Sequence, residues 1–319
     1  MGYNKERYRT LKNIAYFLSL GVWYMFSLLP FWVHYLFSDL IYLLLYHVVG
    51  YRKAVVKKNL HDSFPEKTEA ELLKIEHDFY HFFCDLAVES IKLMTISRKE
   101  MRRRMVFKGT DITDQITREG QSCIAYMGHL GSWEWVTSVP LWLPSDVQSG
   151  QIYHPMENYV FDCLLLRLRQ RLGSVSISMS DVLRKMIEFK RSGKKVVVGF
   201  ISDQKPFWTN IHHWVNFLNH DTPVLTGTER IARMLDHAVV FLDVRRVSRG
   251  YYEAEIKLIT RHPKEMKEYA LTDIYFEMLE QSIRRAPELW LWSHDRWSRT
   301  REEFNEHYEV VNGKVMTKK

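Results

Sequence analysis

Apolar and polar positions follow three different rhythms along this chain. From Asn13 to Ser38 there is no Asp, Glu, Lys or Arg, and after Asp39 a second uncharged run extends from Leu40 to Tyr51. Together they exceed the ~20 residues that a helix needs to cross a bilayer. Trp, Tyr and Phe are frequent in them, as at membrane boundaries, and no small-residue cleavage site follows. Residues 1–50 therefore read as an uncleaved helical membrane anchor. Both flanks are basic, with Lys5, Arg7, Arg9 and Lys12 before and Arg52, Lys53, Lys57 and Lys58 after. Basic flanks are retained on the cytoplasmic side, so the pattern favours a hairpin bent near Pro30, or a segment lying in the interface. The rest of the chain would then face the cytoplasm. A buried hydrophobic hairpin would show the same run of residues.

Residues 51–110 form a helical lead-in. Glu69 to Lys74 and Phe79 to Leu93 carry apolar side chains at three-to-four spacing, and Pro65 marks a helix start. From residue 111 to 300 short apolar runs alternate with amphipathic ones. Strands are expected at Ser122 to Met127, Gln151 to Tyr153, Val196 to Ile201, Ala238 to Arg246 and Tyr251 to Ile259. Helices are expected at Trp133 to Val139, Tyr159 to Leu172, Val182 to Lys190, Glu229 to Leu235 and Asp273 to Arg285. Strands separated by helices imply an α/β fold with a mixed, largely parallel central sheet flanked by helices. The last two strands, joined through Ser248 to Gly250, imply an antiparallel hairpin at one side. The tail from Arg301 to Lys319 is charged, and mobility is expected at its end.

A chain of 319 residues with 46% apolar content sustains one large core or two small ones. Cys84, Cys123 and Cys163 have no metal-like spacing, which points to a reducing compartment without a disulfide framework. The formal net charge of +7 rests on recurrent basic groups, among them Arg102 to Arg104, Arg167, Arg169, Arg171, Arg245, Arg246, Arg284 and Arg285. Beside an anchor, such charge suits anionic headgroups, a phosphorylated lipid or an acidic carrier protein. No nucleic-acid-binding motif accompanies it.

The candidate chemistry lies where the strand Ser122 to Met127 stops at Gly128 and delivers His129 to the rim of the sheet, where open α/β folds place their ligands. Ser132 is placed to cap a helix whose first turn holds Glu134, between Trp133 and Trp135. A carboxylate on one ring nitrogen fixes the tautomer and leaves the other nitrogen to take a proton from a hydroxyl; Glu134 is the expected partner. The spacing alone is a weak sign, because His-x4-Asp/Glu also occurs at His34/Asp39 and His61/Glu66. Only the third pair follows a strand and has glycines around it, and a structural histidine at a strand end remains the other reading. Backbone N–H groups from Gly131 to Trp133 are candidate donors to an oxyanion. A second strand, Val196 to Ile201, ends at Asp203 and Gln204 on the same rim if the two strands are parallel, either as a group for substrate hydroxyls or as a polar turn. Arg167 and Arg171, four apart on one expected helix, and Arg230 on another, are candidates for phosphate or simply solvated basic faces. His212 and His213 lack the company that a metal site requires, and no metal or diffusible cofactor is expected.

Taken in order, Met127-Gly-His-Leu-Gly-Ser-Trp-Glu134, Tyr153-His-Pro-Met-Glu-Asn158, Ser202-Asp-Gln204, Phe217-Leu-Asn-His-Asp-Thr-Pro223, Thr226-Gly-Thr-Glu-Arg-Ile-Ala232 and Arg285-Ala-Pro-Glu-Leu-Trp-Leu-Trp-Ser-His294 resemble the late lipid A acyltransferases, within the lysophospholipid acyltransferase superfamily. The resemblance covers nearly the whole chain. It implies transfer of a fatty acyl group from an acyl carrier protein thioester to a hydroxyl of a lipid A precursor, on the cytoplasmic side of the inner membrane. It also implies His129 and Glu134 as the reacting pair, with Asp203, Gln204, Tyr153 and Asn158 at the substrate. His154 stands where an arginine is common. Asp295 stands where a basic residue often follows the histidine, which leaves Arg296 or Arg299 to supply that charge. Two other readings fit the composition: an acyltransferase for a lysophospholipid or amino-acid headgroup, and a non-catalytic membrane adaptor.

Overall fold

Proline at position 30 decides the shape of the N-terminal region. In a computed structural model, which describes residues 2–311 and 313–318 with side chains from residue 11 onward, helix α1 (Gly2–Leu28) stops just before it and α2 (Phe31–Tyr42) starts just after. Pro30 has no N–H to continue the first helix and is pre-set for the edge of the second. A π-helical turn, Leu43–Val49, then closes on Gly50 in the left-handed conformation. The expected break near Pro30 is therefore present, while Lys5, Arg7 and Arg9 lie outside the described side chains. Among the described residues, Phe31–Val49 is the one stretch long and apolar enough to cross a membrane. Phe17, Leu18, Val22, Met25, Trp32 and Val48 are each at least 66% exposed. Large apolar side chains exposed in such number on one region suit a membrane or a partner surface.

Helix α3 (Lys53–Ser63) leads to α4 (Glu69–Lys92). Pro65 lies in the turn between them and not at a helix start. The start is set by Thr68, whose hydroxyl accepts the Glu71 N–H at 3.3 Å while Glu71 accepts the Thr68 N–H at 2.8 Å. One face of α4 buries Leu72, Phe79, Phe82 and Leu86, and the same face carries two buried acids, Asp85 and Glu89. Asp85 accepts from Ser38 of α2 at 2.7 Å, from Arg246 at 2.9 Å and from Arg249 at 2.6 Å. One carboxylate thus joins the apolar helix α2, helix α4 and the sheet.

After α5 (Arg98–Arg104), a four-residue strand β1 (Met105–Lys108) enters the sheet. There follow α6 (Thr110–Arg118), β2 (Cys123–Met127), α7 (Trp133–Val136), β3 (Gln148–Tyr153), α8 (Tyr159–Gln170), β4 (Val175–Ser178), α9 (Val182–Arg191) and β5 (Val196–Ile201). A small antiparallel pair, β6 (His213–Phe217) and β7 (His220–Val224), precedes α10 (Gly227–Leu235), β8 (Ala238–Ser248), β9 (Tyr251–Thr260) and α11 (Ala270–Arg285). The seven-stranded sheet has the order β1-β9-β8-β2-β5-β3-β4. All neighbours are parallel except β8 and β9, which gives the expected mixed, largely parallel sheet flanked by helices. Its hairpin is not at the edge, because β1 adds outside β9. The charged tail is ordered further than expected: α12 (Arg301–His307) is followed by an antiparallel pair, β10 (Tyr308–Val311) and β11 (Lys314–Thr317).

The two faces of the central strands differ. Tyr126 and Phe200 point to one face, where the Tyr126 ring stacks on Tyr275 of α11 at 4.4 Å. Ala125, Met127, Val197, Gly199 and Ile201 point to the other, beneath α6, α7 and α8. Register pairs Ala125 with Gly199, so the two smallest residues meet in the middle of that face.

Asp85→Ala leaves Arg246 without its buried partner and Arg249 with Asp39 alone, and removing one side of a buried pair is strongly destabilising. We expect a loss of about 3 kcal/mol, read as a lowered unfolding midpoint of the detergent-solubilised protein with α-helical content retained below it.

Candidate active site

Because β2 and β5 run parallel in register, Met127 opposite Ile201, their C-terminal ends release His129 and Asp203 at the same rim. Gly128 makes the approach possible. A Cβ there would lie 2.6 Å from Leu279 and 3.3 Å from a carboxylate oxygen of Asp203. The backbone N–H of His129 donates to Asp203 Oδ2 at 2.8 Å, its Nδ1 lies 2.7 Å from Oδ1, and Trp290 Nε1 donates to Oδ2 at 2.9 Å. Burial by itself would raise the Asp203 carboxyl. The imidazolium charge of His129, the bonds from its ring and N–H, and the Trp290 bond outweigh that and hold it at about 2. An ionised Asp203 only accepts, so Nδ1 carries the hydrogen and Nε2 of the neutral ring is left as a base. Nε2 faces the cavity, 3.4 Å from the side-chain nitrogen of Gln204.

Glu134 does something different from what its spacing suggested. Its carboxylate is gripped by Arg169 of α8, with Nε to Oε2 at 2.8 Å and Nη2 to Oε1 at 2.5 Å, a bidentate pair that leaves the imidazole to Asp203. Both Glu134 and Arg169 line the same cavity as His129. Arg169 was passed over for Arg167 and Arg171, yet the signal was present. Residues two apart on a helix face opposite sides, so a helix that turns Arg167 and Arg171 one way turns Arg169 the other.

The cavity is about 280 Å³ and runs from His129, Trp133, Glu134 and Gln204 along the sheet face. Its floor is Ala125, Met127, Val197, Gly199, Val240 and Leu242, and Val136, Val139, Ile152 and Ile256 close it. The row Ala125–Gly199 makes the trench, since neither residue fills the space above the backbone. A Cβ on Gly199 would meet nothing closer than 3.7 Å. Tyr153, His154 and Met156 stand at the side of the cavity, and Met156 is 45% exposed.

Several expected site residues lie elsewhere. Asn158 caps α8, accepting from Val160 N at 3.0 Å and Phe161 N at 3.2 Å. Arg171 donates to the carbonyls of Leu93 and Ile96, and it shares with Arg167 a separate cleft against Tyr24. Arg230 lines another cleft with Glu229 and Tyr269. Gly131, at φ +63° and with no room for a Cβ against Val244 at 2.6 Å, spends its N–H on the Leu289 carbonyl at 3.0 Å. The Trp133 N–H bonds to Gly131 O, so two of the three expected oxyanion donors, the N–H groups of Gly131 and Trp133, are already engaged within the protein, and neither Gly131 nor Ser132 lines the cavity. The Ser132 hydroxyl does not cap α7 but donates to Glu89 at 3.3 Å. Arg296 is fully buried, with Nη2 on the Pro223 carbonyl at 2.8 Å, and cannot meet a headgroup. Arg299 lies nearer the rim, over Phe207 and Trp208. His294, pushed down to about 4 by burial and by Arg296, is neutral and receives the Lys205 N–H at 3.5 Å. Among the described residues no group of three His, Cys, Asp or Glu is placed to hold a metal.

A largely parallel sheet that ends in a His–Asp pair, with a mostly apolar trench leading to the second imidazole nitrogen, has the parts of an enzyme that handles a fatty chain. The sequence profile of the family described as bacterial lipid A biosynthesis acyltransferase matches residues 2–299, and the chain belongs to that family. It is an acyltransferase, with an acyl donor and a lipid acceptor implied by that membership. No curated protein matches the chain.

The depressed Asp203 carboxyl has a consequence for acid stability. Its folded value of about 2 lies below the ordinary 3.8, so its contribution is complete above 3.8 and lost as pH falls towards 2. Comparing wild type with Asp203→Asn in acid unfolding, we expect wild type to lose about 2 kcal/mol more between those limits. Parallel curves would mean that the carboxylate is not held this way.

Proposed function

We propose that the protein moves a fatty acyl group from a thioester, carried by acyl carrier protein, to a hydroxyl of a lipid A precursor at the cytoplasmic face of the inner membrane. The observation that carries this reading is the mostly apolar trench over Ala125 and Gly199 that ends at His129, whose Nδ1 is held by Asp203. His129 takes the proton of the acceptor hydroxyl as its oxygen attacks the thioester carbonyl. The tetrahedral intermediate collapses, the C–S bond breaks, and the leaving thiolate recovers the proton from the imidazolium. General-base assistance of this kind contributes about 10²–10⁴ in rate. Asp203 orients the ring and balances the imidazolium. The Gln204 amide, 3.4 Å from Nε2, is the donor assigned to the developing oxyanion, and the Arg169–Glu134 ion pair lines the same trench. No cofactor is required by these steps. The exposed apolar surface of α1, α2 and the π-turn supports a membrane seat, with the lipid acceptor arriving from the bilayer.

The test is turnover of purified protein with acyl carrier protein and coenzyme A thioesters against lipid A precursor and lysophospholipid acceptors, products identified by mass spectrometry. We expect lipid A precursor and carrier-protein thioester to be preferred, His129→Ala to lose at least about 10²-fold in kcat, and binding to membranes to persist. An active His129→Ala protein would overturn the base assignment, and a product on phospholipid alone would move the acceptor to the other lipid class. Gly199→Val adds a side chain to the trench floor, so shorter acyl chains should be favoured over long ones in a competition assay. An unchanged chain profile would show that the acyl group lies elsewhere.

A further inference from the structure

Glu89, on α4, is 1% exposed and, among the described residues, makes no ion pair within 4 Å. Its carboxylate accepts instead from three hydroxyls on three different parts of the fold. Tyr35 of α2 donates at 3.0 Å, Tyr252 of β9 at 3.0–3.1 Å, and Ser132 of the loop between His129 and Glu134 at 3.3 Å. Its backbone carbonyl accepts the Trp135 indole N–H at 2.9 Å. Ser132 lies three residues after His129 and two before Glu134, so the span that sets the distance between imidazole and carboxylate hangs from Glu89 at both ends of α7's first turn. Other bonds of that span run from the Gly131 N–H to the Leu289 carbonyl, between Leu130 and Trp290, and from the His129 N–H to Asp203.

We propose that Glu89 is a positioning residue that transmits the seating of the apolar helix α2 to the His129–Glu134 loop, through Tyr35 on one side and Ser132 on the other. The proposal rests on the reading of His129 as the reacting base. A buried carboxylate is costly unless its oxygens are satisfied, and here the satisfying groups are hydroxyls that arrive only when α2, β9 and the loop are docked together. The ionised form suits three O–H donors; a protonated acid must donate one bond and would drop or reverse a hydroxyl. Burial and the neighbouring Asp85 push the Glu89 carboxyl up to about 7, opposed by the Tyr252 and Tyr35 hydroxyls and by Arg246. Charged or titratable groups on the elements around it also include His34 and Asp39 of α2, His81 and Lys92 of α4, Glu100 and Arg104 of α5, Glu134 of α7, Glu253 of β9 and Arg249 of the β8–β9 turn. The strut is therefore intact on the alkaline side and loosened as pH falls through neutrality.

Tyr35→Phe tests this in the full-length protein, because the ring keeps its stacking on Phe31 at 6.1 Å and its contact with Arg249 at 4.6 Å while the hydroxyl is removed. We expect kcat to fall about tenfold, with KM for the thioester and binding to anionic vesicles changed less than about twofold. Loss of a bond that favours the carboxylate should also move the acid limb of kcat to higher pH. Ser132→Ala should lower kcat similarly, and the double variant should be little worse than either alone, since both act through one carboxylate. Independent, multiplying effects, an unmoved acid limb in Tyr35→Phe, or a Glu89→Gln protein with wild-type turnover would each overturn the proposal. An active His129→Ala protein would instead fail the base assignment, whatever the Glu89 variants do.

Discussion

The contact between Asp203 and His129 is the constraint around which the rest of this protein is arranged. It exists because two parallel strands end in register, because Gly128 lets the chain pass Leu279 and Asp203 without a side chain, and because Trp290 supplies a further donor to the same carboxylate. Three bonds to a nearly inaccessible acid keep it charged, and a charged acid dictates which imidazole nitrogen holds the hydrogen. The base that results points along the sheet face where Ala125 and Gly199 leave room. Fold, protonation and the mouth of the cavity are thus set by one pair of strand ends.

The remaining architecture protects that geometry. A second acid, Asp85, ties the apolar N-terminal helices to α4 and to the β8–β9 turn, and a third, Glu89, sits one helical turn further on, next to the loop that bears Glu134. Bidentate capture of Glu134 by Arg169 places a fixed ion pair in the wall of the trench without drawing on the imidazole. Helices α1 and α2 bring an apolar surface to the same body as the trench, which suits a lipid substrate that never leaves a bilayer.

Much of this was legible from residue order. Alternating apolar runs marked five strands of the sheet, and two of them, ending at His129 and at Asp203-Gln204, gave the rim. Pro30 marked the break between the apolar helices. Other features were invisible for physical reasons. The partner of His129 is 74 residues away in sequence, and sequence distance favours the nearby Glu134 over an acid brought in by strand pairing. The short strands β1 and β4 lack a full period of alternation, so β1 read as part of a helical lead-in. Helix α7 is only four residues long, too short for a serine cap to be inferred from its side chain. Arg169 was hidden among three arginines until helical phase separated it from Arg167 and Arg171.

The most direct measurement is a structure of the protein with a non-transferable acyl thioester analogue. The account predicts the acyl chain lying over Ala125 and Gly199 with its carbonyl carbon beside His129 Nε2, and Asp203 still bonded to Nδ1. A chain bound outside the trench, or an imidazole turned from Asp203 to Glu134 in the complex, would contradict it.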